Sequence, residues 1–243
     1  MQTFTQSCIE ANREIAIQLK ENFDISLLEK GSVGAGGDVS KQADLLAEKI
    51  FVKHLGKYGA IESEESGLIG TGEPVMIIDP LDGSANFASG FPYYGTSVAK
   101  LDSKGQLEYA IVCNLLSEEL FVKAHDSSVM VWDLNGREKR DLSSICEPEI
   151  GLFEKAYTHP VMAAALLEAG YKFRSPGATA LSLAYARSAK FFLFMGEARL
   201  YDIVAGIALC EGLEVIVEED YVIVSQNKTI AEDIESMIRR SKI

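Results

Sequence analysis

The chain has 243 residues, of which 47% are hydrophobic and 24% are charged, and its 23 basic and 36 acidic residues give a formal net charge of −13. This is the composition of a globular protein, not of collagen or a disordered chain, and no apolar run approaches the roughly 20 residues that span a bilayer. The acidic balance argues against sequence-independent binding of nucleic acid and against an anionic membrane surface, because few basic groups are available to neutralise phosphates.

The first half of the chain is predicted to begin with two helices. Apolar residues at steps of three or four over residues 3–28 predict an amphipathic helix. A second helix is expected from an N-cap at Ser40 to about residue 55, with His54 on its inner face. The glycine-rich segment 31–40 between them is not a P-loop, and it is either a mobile linker or an active-site flap. The first twenty residues contain no hydrophobic signal core, so we expect a cytoplasmic protein.

Strand patterns follow these helices. The apolar run at 75–78 predicts a buried strand. Alternating patterns between residues 94 and 135, separated by turn residues, predict four consecutive antiparallel strands.

The order of elements changes after about residue 145. Helical patterns alternate with strand patterns from there to the end, and residues 214–225 read as a hairpin. We therefore expect two subdomains, residues 1–145 with two helices and an antiparallel sheet, and residues 146–243 with alternating strands and helices.

Cysteine and histidine do not predict a zinc or thiol site. The four cysteines form no CxxC pair, and we expect them to be reduced and mostly buried: Cys8, Cys113, Cys146 and Cys210. The three histidines form no HExxH motif and no GxSxG elbow is present, which disfavours zinc and serine hydrolases.

The segment DPLDGS, residues 79–84, carries the strongest functional signal. Pro80 has no N–H and is expected to end the preceding strand, while Gly83 permits a tight turn. The carboxylates of Asp79 and Asp82, with the Leu81 carbonyl between them, form the oxygen-rich ligand set that Mg²⁺ prefers. A helix beginning after the turn would add N–H groups that hold a phosphate. An ordinary surface turn is the alternative.

Three more acidic residues require interpretation. Glu64 follows a short predicted strand, and adjacent strand ends would place its carboxylate beside Asp79, where a cation would relieve the repulsion. Glu62 is expected on a solvated face. Asp202, taken by itself, is more simply explained as a helix N-cap.

Together these residues resemble the inositol monophosphatase family, within the superfamily of Mg²⁺-dependent, lithium-sensitive phosphatases. The likeness rests on ESEES, DPLDGSANF, SPGATALSLAYA and YDIVAG. It implies an α+β fold, a layered α-β-α-β-α sandwich, that acts as a homodimer. It also implies two or three Mg²⁺ ions per site and a water-mediated hydrolysis of a small sugar or polyol phosphate.

The resemblance implies a role for each matching residue. The metal ligands would be Glu64, Asp79, the Leu81 carbonyl, Asp82 and Asp202. The residues that position and activate the attacking water would be Glu64, Ser84 and Asp44. The substrate contacts would be Asp82, Gly83 and Ser84 on the phosphate and Gly177, Ala178 and Thr179 on the alcohol part.

Departures from the family pattern leave the substrate open. Tyr201 stands where the family usually has Trp, and the glutamate that contacts inositol in the animal enzymes has no clean counterpart. The motifs look most like those of archaeal-type members, some of which also hydrolyse fructose 1,6-bisphosphate. The alternatives are a fructose 1,6-bisphosphatase, an adenosine 3′,5′-bisphosphate nucleotidase and a non-catalytic binding module.

Overall fold

A computed structural model of the protein describes residues 3–73, 75–140 and 147–241, which fold into five alternating layers of helices and sheets. The described helices are α1 (Phe4–Lys20), α2 (Gln42–Leu55), α3 (Ser84–Ala88), α4 (Pro160–Glu168), α5 (Thr179–Ala184), α6 (Leu200–Ala208) and α7 (Lys228–Ser241). The described strands are β1 (Lys30–Val33), β2 (Val39–Lys41), β3 (Ala60–Ser63), β4 (Gly67–Ile69), β5 (Val75–Asp82), β6 (Gly95–Leu101), β7 (Leu107–Asn114), β8 (Glu119–Ala124), β9 (Met130–Asp133), β10 (Glu138–Arg140), β11 (Ile150–Glu154), β12 (Lys172–Arg174), β13 (Phe192–Met195), β14 (Glu214–Glu218) and β15 (Tyr221–Ser225).

The larger sheet has the strand order β10-β9-β8-β7-β6-β5-β3-β4. Strands β6 to β9 pair antiparallel in succession, which confirms the prediction for residues 94–135. Strand β3 pairs parallel with β5. Because parallel strands end at the same edge of a sheet, this pairing brings the residues that follow β3 beside the last residues of β5.

Helices α1 and α2 form the first layer and cover one face of the larger sheet. The predicted apolar stripe of α1 is buried. The helix ends at Lys20, however, and a 3-10 helix follows at Ile25–Leu28, so the predicted extension to residue 28 is wrong. Asp24 caps that short helix by accepting a hydrogen bond from the Ser26 N–H at 2.9 Å.

One expectation for α2 is also wrong. The N-cap position is Lys41, and the hydroxyl of Ser40 donates to the Glu65 carboxylate instead. His54 lies on the side of α2 that faces α1, as expected: its side chain is 17% exposed, and its Nε2 is 2.7 Å from the Glu14 carboxylate. Leu55, the next residue, is fully buried.

The middle layer consists of α5 and α6, which lie between the two sheets. All six residues of α5 are buried. Leu181 and Ala205 pack on the larger sheet, whereas Leu183 and Ile203 pack on the smaller one. Both faces of this layer are therefore apolar, as burial between two sheets requires.

The smaller sheet has the order β12-β11-β13-β15-β14, with β11 parallel to both of its neighbours. Helices α4 and α7 cover its outer face through Leu166, Ile234 and Ile238. The expected α-β-α-β-α layering is therefore confirmed. Strand β11, and the β1–β2 hairpin of the glycine-rich segment, are elements that the sequence patterns did not predict.

The predicted subdomain boundary between residues 145 and 146 lies outside the described residues, as does Cys146, so that division stays a prediction. Cys8, Cys113 and Cys210 are buried, as expected. Over the ranges that the structure describes, no helix has the length and apolar character needed to cross a membrane.

Candidate active site

The acidic turn predicted from DPLDGS lies at the carboxyl end of β5. The ladder to β6 skips the residues between Asp79 and Asp82, because Pro80 has no N–H to donate. The strand nevertheless continues to Asp82, so the prediction that Pro80 ends it is wrong, although the break in pairing is real. The Leu81 N–H donates to Asp79 Oδ1 at 2.9 Å, and Gly83, with φ of +85°, turns the chain into α3.

Three carboxylates from distant parts of the chain meet beside this turn. One oxygen each of Glu64, Asp79 and Asp202 lies within 4.8 Å of the others, and all three residues are buried. Glu64 reaches Asp79 because β3 and β5 are parallel, and its N–H continues the pairing by donating to the Ile78 carbonyl at 3.1 Å. Asp202 comes from the first turn of α6, where Arg199 is the N-cap residue, so the N-cap interpretation of Asp202 is wrong.

Asp82 and Leu81 lie against the same cavity. Asp82 is buried, and its Oδ2 accepts a hydrogen bond from the Leu181 N–H on α5 at 2.8 Å. The cavity has a volume of about 650 Å³. The structure thus brings all five predicted metal ligands to one cavity, and their function as ligands stays a prediction.

Three carboxyl groups of the site, those of Asp79, Asp82 and Glu64, have raised pKa values. Burial, and then the charge of Glu64, raises the pKa of Asp79 well above its usual range. Burial and the charge of Asp202 do the same to the pKa of Asp82. Burial also raises the pKa of Glu64 to about 7, although the nearby Arg199 opposes that change. Concentrated buried negative charge of this kind favours binding of a cation.

Arg199 is a member of the site that the sequence analysis missed. Its Nη1 lies 2.6 Å from the Glu64 carboxylate and 2.8 Å from that of Asp38. Its Nε and Nη2 donate to the two carboxylate oxygens of Asp202 at 2.9 and 3.2 Å. The guanidinium therefore supplies positive charge between two of the three clustered carboxylates. A basic residue three positions before Asp202 was the available signal, since residues i and i+3 are neighbours on a helix.

The glycine-rich segment forms the antiparallel β1–β2 hairpin, whose turn lies against the acidic cluster. The Gly36 N–H donates to the Glu64 carbonyl at 2.7 Å, and the Ala35 N–H donates to the Glu65 carbonyl at 3.0 Å. A Cβ at Gly36 would lie only 2.5 Å from Glu64 Cγ. Of the two interpretations of residues 31–40, these contacts favour the active-site flap.

Ser84, at the end of the turn, and Asp44 on α2 both form hydrogen bonds with Lys41. The Lys41 Nζ donates to Ser84 Oγ at 3.0 Å, and the Lys41 backbone N–H donates to Asp44 Oδ2 at 2.6 Å. Burial raises the pKa of Asp44, while the backbone of Lys41 and the hydroxyl of Ser84 oppose that rise. The predicted hydroxyl–carboxylate pair is thus assembled, together with a lysine that the sequence analysis missed.

The predicted alcohol-binding segment enters the cavity from the start of α5. Gly177 and Thr179 line the cavity, whereas the side chain of Ala178 packs in the core between α5 and the larger sheet. The Gly177 backbone has a φ of +84°, a conformation that favours glycine. Any contact of Ala178 with a ligand would therefore come from its backbone.

The substitution of Tyr201 for the usual Trp has a local partner. The Tyr201 hydroxyl donates to Glu62 Oε1 at 2.9 Å, which links α6 to β3. Glu62 is only partly exposed, so the prediction of a solvated face is wrong. The phenol O–H of Tyr201 donates this hydrogen bond. The indole N–H of a tryptophan is also a donor, but it lies at a different position on its ring.

Comparison with known proteins gives one consistent result. Residues 1–217 match the sequence model of the inositol monophosphatase family. A protein of Xylella fastidiosa named Nus factor SuhB is 30% identical over 182 residues, covering 71% of this chain and 66% of the relative. A fructose-1,6-bisphosphatase of Pyrococcus furiosus is 29% identical over 185 residues, covering 71% of this chain and 69% of the relative.

Solved structures agree on the fold. A Pyrococcus horikoshii protein, described as similar to inositol-1 monophosphatase, superposes with a TM-score of 0.77 at 24% identity and covers 98% of both chains. The extragenic suppressor protein SuhB of Bartonella henselae gives a TM-score of 0.76 at 24% identity, covering 96% of this chain and 95% of that one.

Proposed function

The chain belongs to the inositol monophosphatase family, a family of phosphoric monoester hydrolases, and we propose that it hydrolyses the phosphate ester of a small sugar or polyol with the help of Mg²⁺. The observation that carries this proposal is the buried cluster of Glu64, Asp79 and Asp202. Arg199 pairs with Glu64 and Asp202, but one guanidinium among three buried carboxylates leaves excess negative charge, which costs free energy unless a further cation pairs with it.

The donors around the cluster fit a hard cation. Carboxylate oxygens of Glu64, Asp79, Asp82 and Asp202 and the carbonyl oxygen of Leu81 are the ligands that we propose for two or three Mg²⁺ ions. Bound Mg²⁺ would supply positive charge for the phosphate and lower the pKa of a water molecule.

The remaining groups would orient the reactants. The Ser84 hydroxyl, held between Lys41 and Asp44, lies where the turn leaves the acidic cluster, and we assign it to the attacking water. The N–H groups of Gly83 and Ser84 are the proposed phosphate donors. Gly177, Ala178 and Thr179 are the proposed contacts to the alcohol. Positioning and charge stabilisation of this kind supply most of the catalysis of phosphoryl transfer.

Hydrolysis of fructose 1,6-bisphosphate is the second candidate. The Pyrococcus furiosus relative is named for that activity, and Lys30, Lys41 and Lys155 all line the cavity, as suits a substrate with more than one phosphate. Other relatives are named Nus factor, but the net charge of −13 favours a small-molecule substrate over nucleic acid. We also propose that the protein forms a homodimer, as the family resemblance implies.

A phosphate-release screen tests the proposal. The purified chain is incubated with Mg²⁺ and, in separate reactions, inositol 1-phosphate, fructose 1,6-bisphosphate, histidinol phosphate and adenosine 3′,5′-bisphosphate. We expect Mg²⁺-dependent release from a sugar or polyol ester and its loss in chelator. Weak Mg²⁺ binding by calorimetry, with no phosphate release from any ester, would instead support a non-catalytic binding module.

A further inference from the structure

Glu154 is a buried carboxylate at the end of β11 that the proposed reaction does not use. It is 1% exposed. One of its oxygens accepts a hydrogen bond from the Ser182 hydroxyl, and the other accepts the Gly177 N–H at 2.8 Å. Burial raises its pKa, and these donors oppose that rise. Glu154 lies at the wall of the cavity, and each of its two carboxylate oxygens accepts a hydrogen bond from the chain that leads into α5.

The chain that it holds runs from Pro176 to α5 along the cavity. From the other side, the Asn86 amide on α3 donates to the carbonyl oxygens of Pro176 and Tyr93 at 2.8 and 2.7 Å. Two side chains therefore fix the start of this segment: Asn86 on α3, which follows the larger sheet's β5, and Glu154 on β11 of the smaller sheet. Removing Glu154 would leave the Gly177 N–H and the Ser182 hydroxyl without their charged acceptor in a buried place.

We propose that Glu154 is a positioning residue that sets affinity for the alcohol part of the substrate by fixing Gly177 and Thr179 in the cavity. This inference rests on the proposed function. Glu64, Asp79 and Asp202 are placed by β3, β5 and α6, and Ser84 begins α3, so these groups have supports other than Glu154. The bond that joins Asp82 to α5 comes from the Leu181 backbone N–H, within the helix. The alcohol end depends on β11, a strand of the other sheet.

The division between two ends of the site gives a test. Glu154→Ala is compared with the parent on whichever of the four screened esters the parent hydrolyses fastest, and on 4-nitrophenyl phosphate, which has no polyol. We expect the KM for the sugar or polyol ester to rise about tenfold, equivalent to about 1.4 kcal/mol. We expect kcat on 4-nitrophenyl phosphate, and competitive inhibition by inorganic phosphate, to stay within about twofold of the parent, since neither needs the Gly177 segment.

Three further variants separate positioning from general stability. Glu154→Gln should restore KM, because its oxygen can accept the Gly177 N–H while its amide donates to Ser182. Glu154→Asp keeps the charge but withdraws it by one methylene, and should reproduce the rise in KM even if the alanine variant does not fold. Glu119→Ala is the matched control. Glu119 also accepts hydrogen bonds from a serine and from a second side chain, those of Ser117 and Tyr185. Among the described residues, however, it is not one of those that line the cavity. This variant should leave KM unchanged.

Three results would overturn the inference. Equal losses on both classes of ester, or an unchanged KM in both Glu154→Ala and Glu154→Asp, would show that Glu154 serves only the fold. A parent that cleaves 4-nitrophenyl phosphate but none of the four esters would refute the proposed function, and the inference with it.

Discussion

Arg199 makes a quantitative prediction about the acidic cluster. Its guanidinium contacts the carboxylates of Glu64, Asp202 and Asp38 at 2.6 to 3.2 Å. Deleting one partner of a buried ion pair costs about 3–5 kcal/mol, because the other charge stays buried and unpaired. The Arg199 side chain is 29% exposed, so solvent screening reduces this figure. We expect Arg199→Gln to lower the free energy of unfolding by about 2–3 kcal/mol in chelator.

Mg²⁺ should reverse most of that loss. A cation bound by Glu64 and Asp202 supplies the charge that the guanidinium otherwise provides, so the difference between parent and variant should fall below about 1 kcal/mol at saturating Mg²⁺. Thermal unfolding followed by calorimetry measures both states. For a chain of this length, 2–3 kcal/mol corresponds to roughly 5–10 °C in Tm. The matched control is Arg239→Gln, which removes an exposed pair with Glu235 on α7 and should change Tm little in either condition.

The same data can refute the reasoning. If Arg199→Gln is equally destabilised with and without Mg²⁺, the guanidinium and the cation do not share the same carboxylates. If it is no less stable in chelator than Arg239→Gln, the contacts of Arg199 contribute nothing measurable.

Three other predictions concern the same site. Asp82→Asn should lower kcat more than tenfold while leaving the far-ultraviolet circular dichroism unchanged, because it removes a proposed ligand and also relieves repulsion; a variant with more than a tenth of the parent rate would contradict the mechanism. Gly36→Ala should weaken Mg²⁺ binding in calorimetric titration, because the new Cβ would meet Glu64 Cγ at 2.5 Å, whereas Gly56→Ala, with open space around it, should not. In chelator, the free energy of unfolding should fall as pH rises from about 4.5 to about 7. Burial raises the pKa of Glu64 from 4.5 to about 7, so over this interval the folded chain holds a proton that the unfolded chain has released. Urea unfolding measures this free energy, and a rise across the interval would refute the prediction.

The residues that could be predicted from the sequence are those whose chemistry is local. DPLDGS places two carboxylates and a glycine turn within six residues, and the parallel pairing of β3 and β5 brings Glu64 to them as expected. The family resemblance supplied Asp202 and Asp44, which spacing alone could not connect to the turn. The structure places both at the cavity.

The residues that were missed owe their position to tertiary structure. Arg199 faces the site because α6 docks its first turn on the carboxylates. Glu154 ends β11, a strand whose five residues are too few and too mixed in composition to give a clear strand pattern. Its proposed role comes from a hydrogen bond to Gly177, which lies 23 residues further along the chain. The expected N-cap at Ser40 failed because β2 extends the backbone through Lys41, which leaves the Ser40 hydroxyl free to reach Glu65.

Helices α5 and α6 bury side chains against both sheets, so the molecule cannot be pulled apart at that layer without uncovering two apolar surfaces at once. Asp202 belongs to this layer, whereas Glu64 and Asp79 belong to the larger sheet. During synthesis the ribosome releases the first two carboxylates long before the third. The third carboxylate therefore joins the cluster only when the late-made helices dock, and Arg199 of the same helix arrives with it, at the stage when the burial of apolar faces offsets the remaining repulsion.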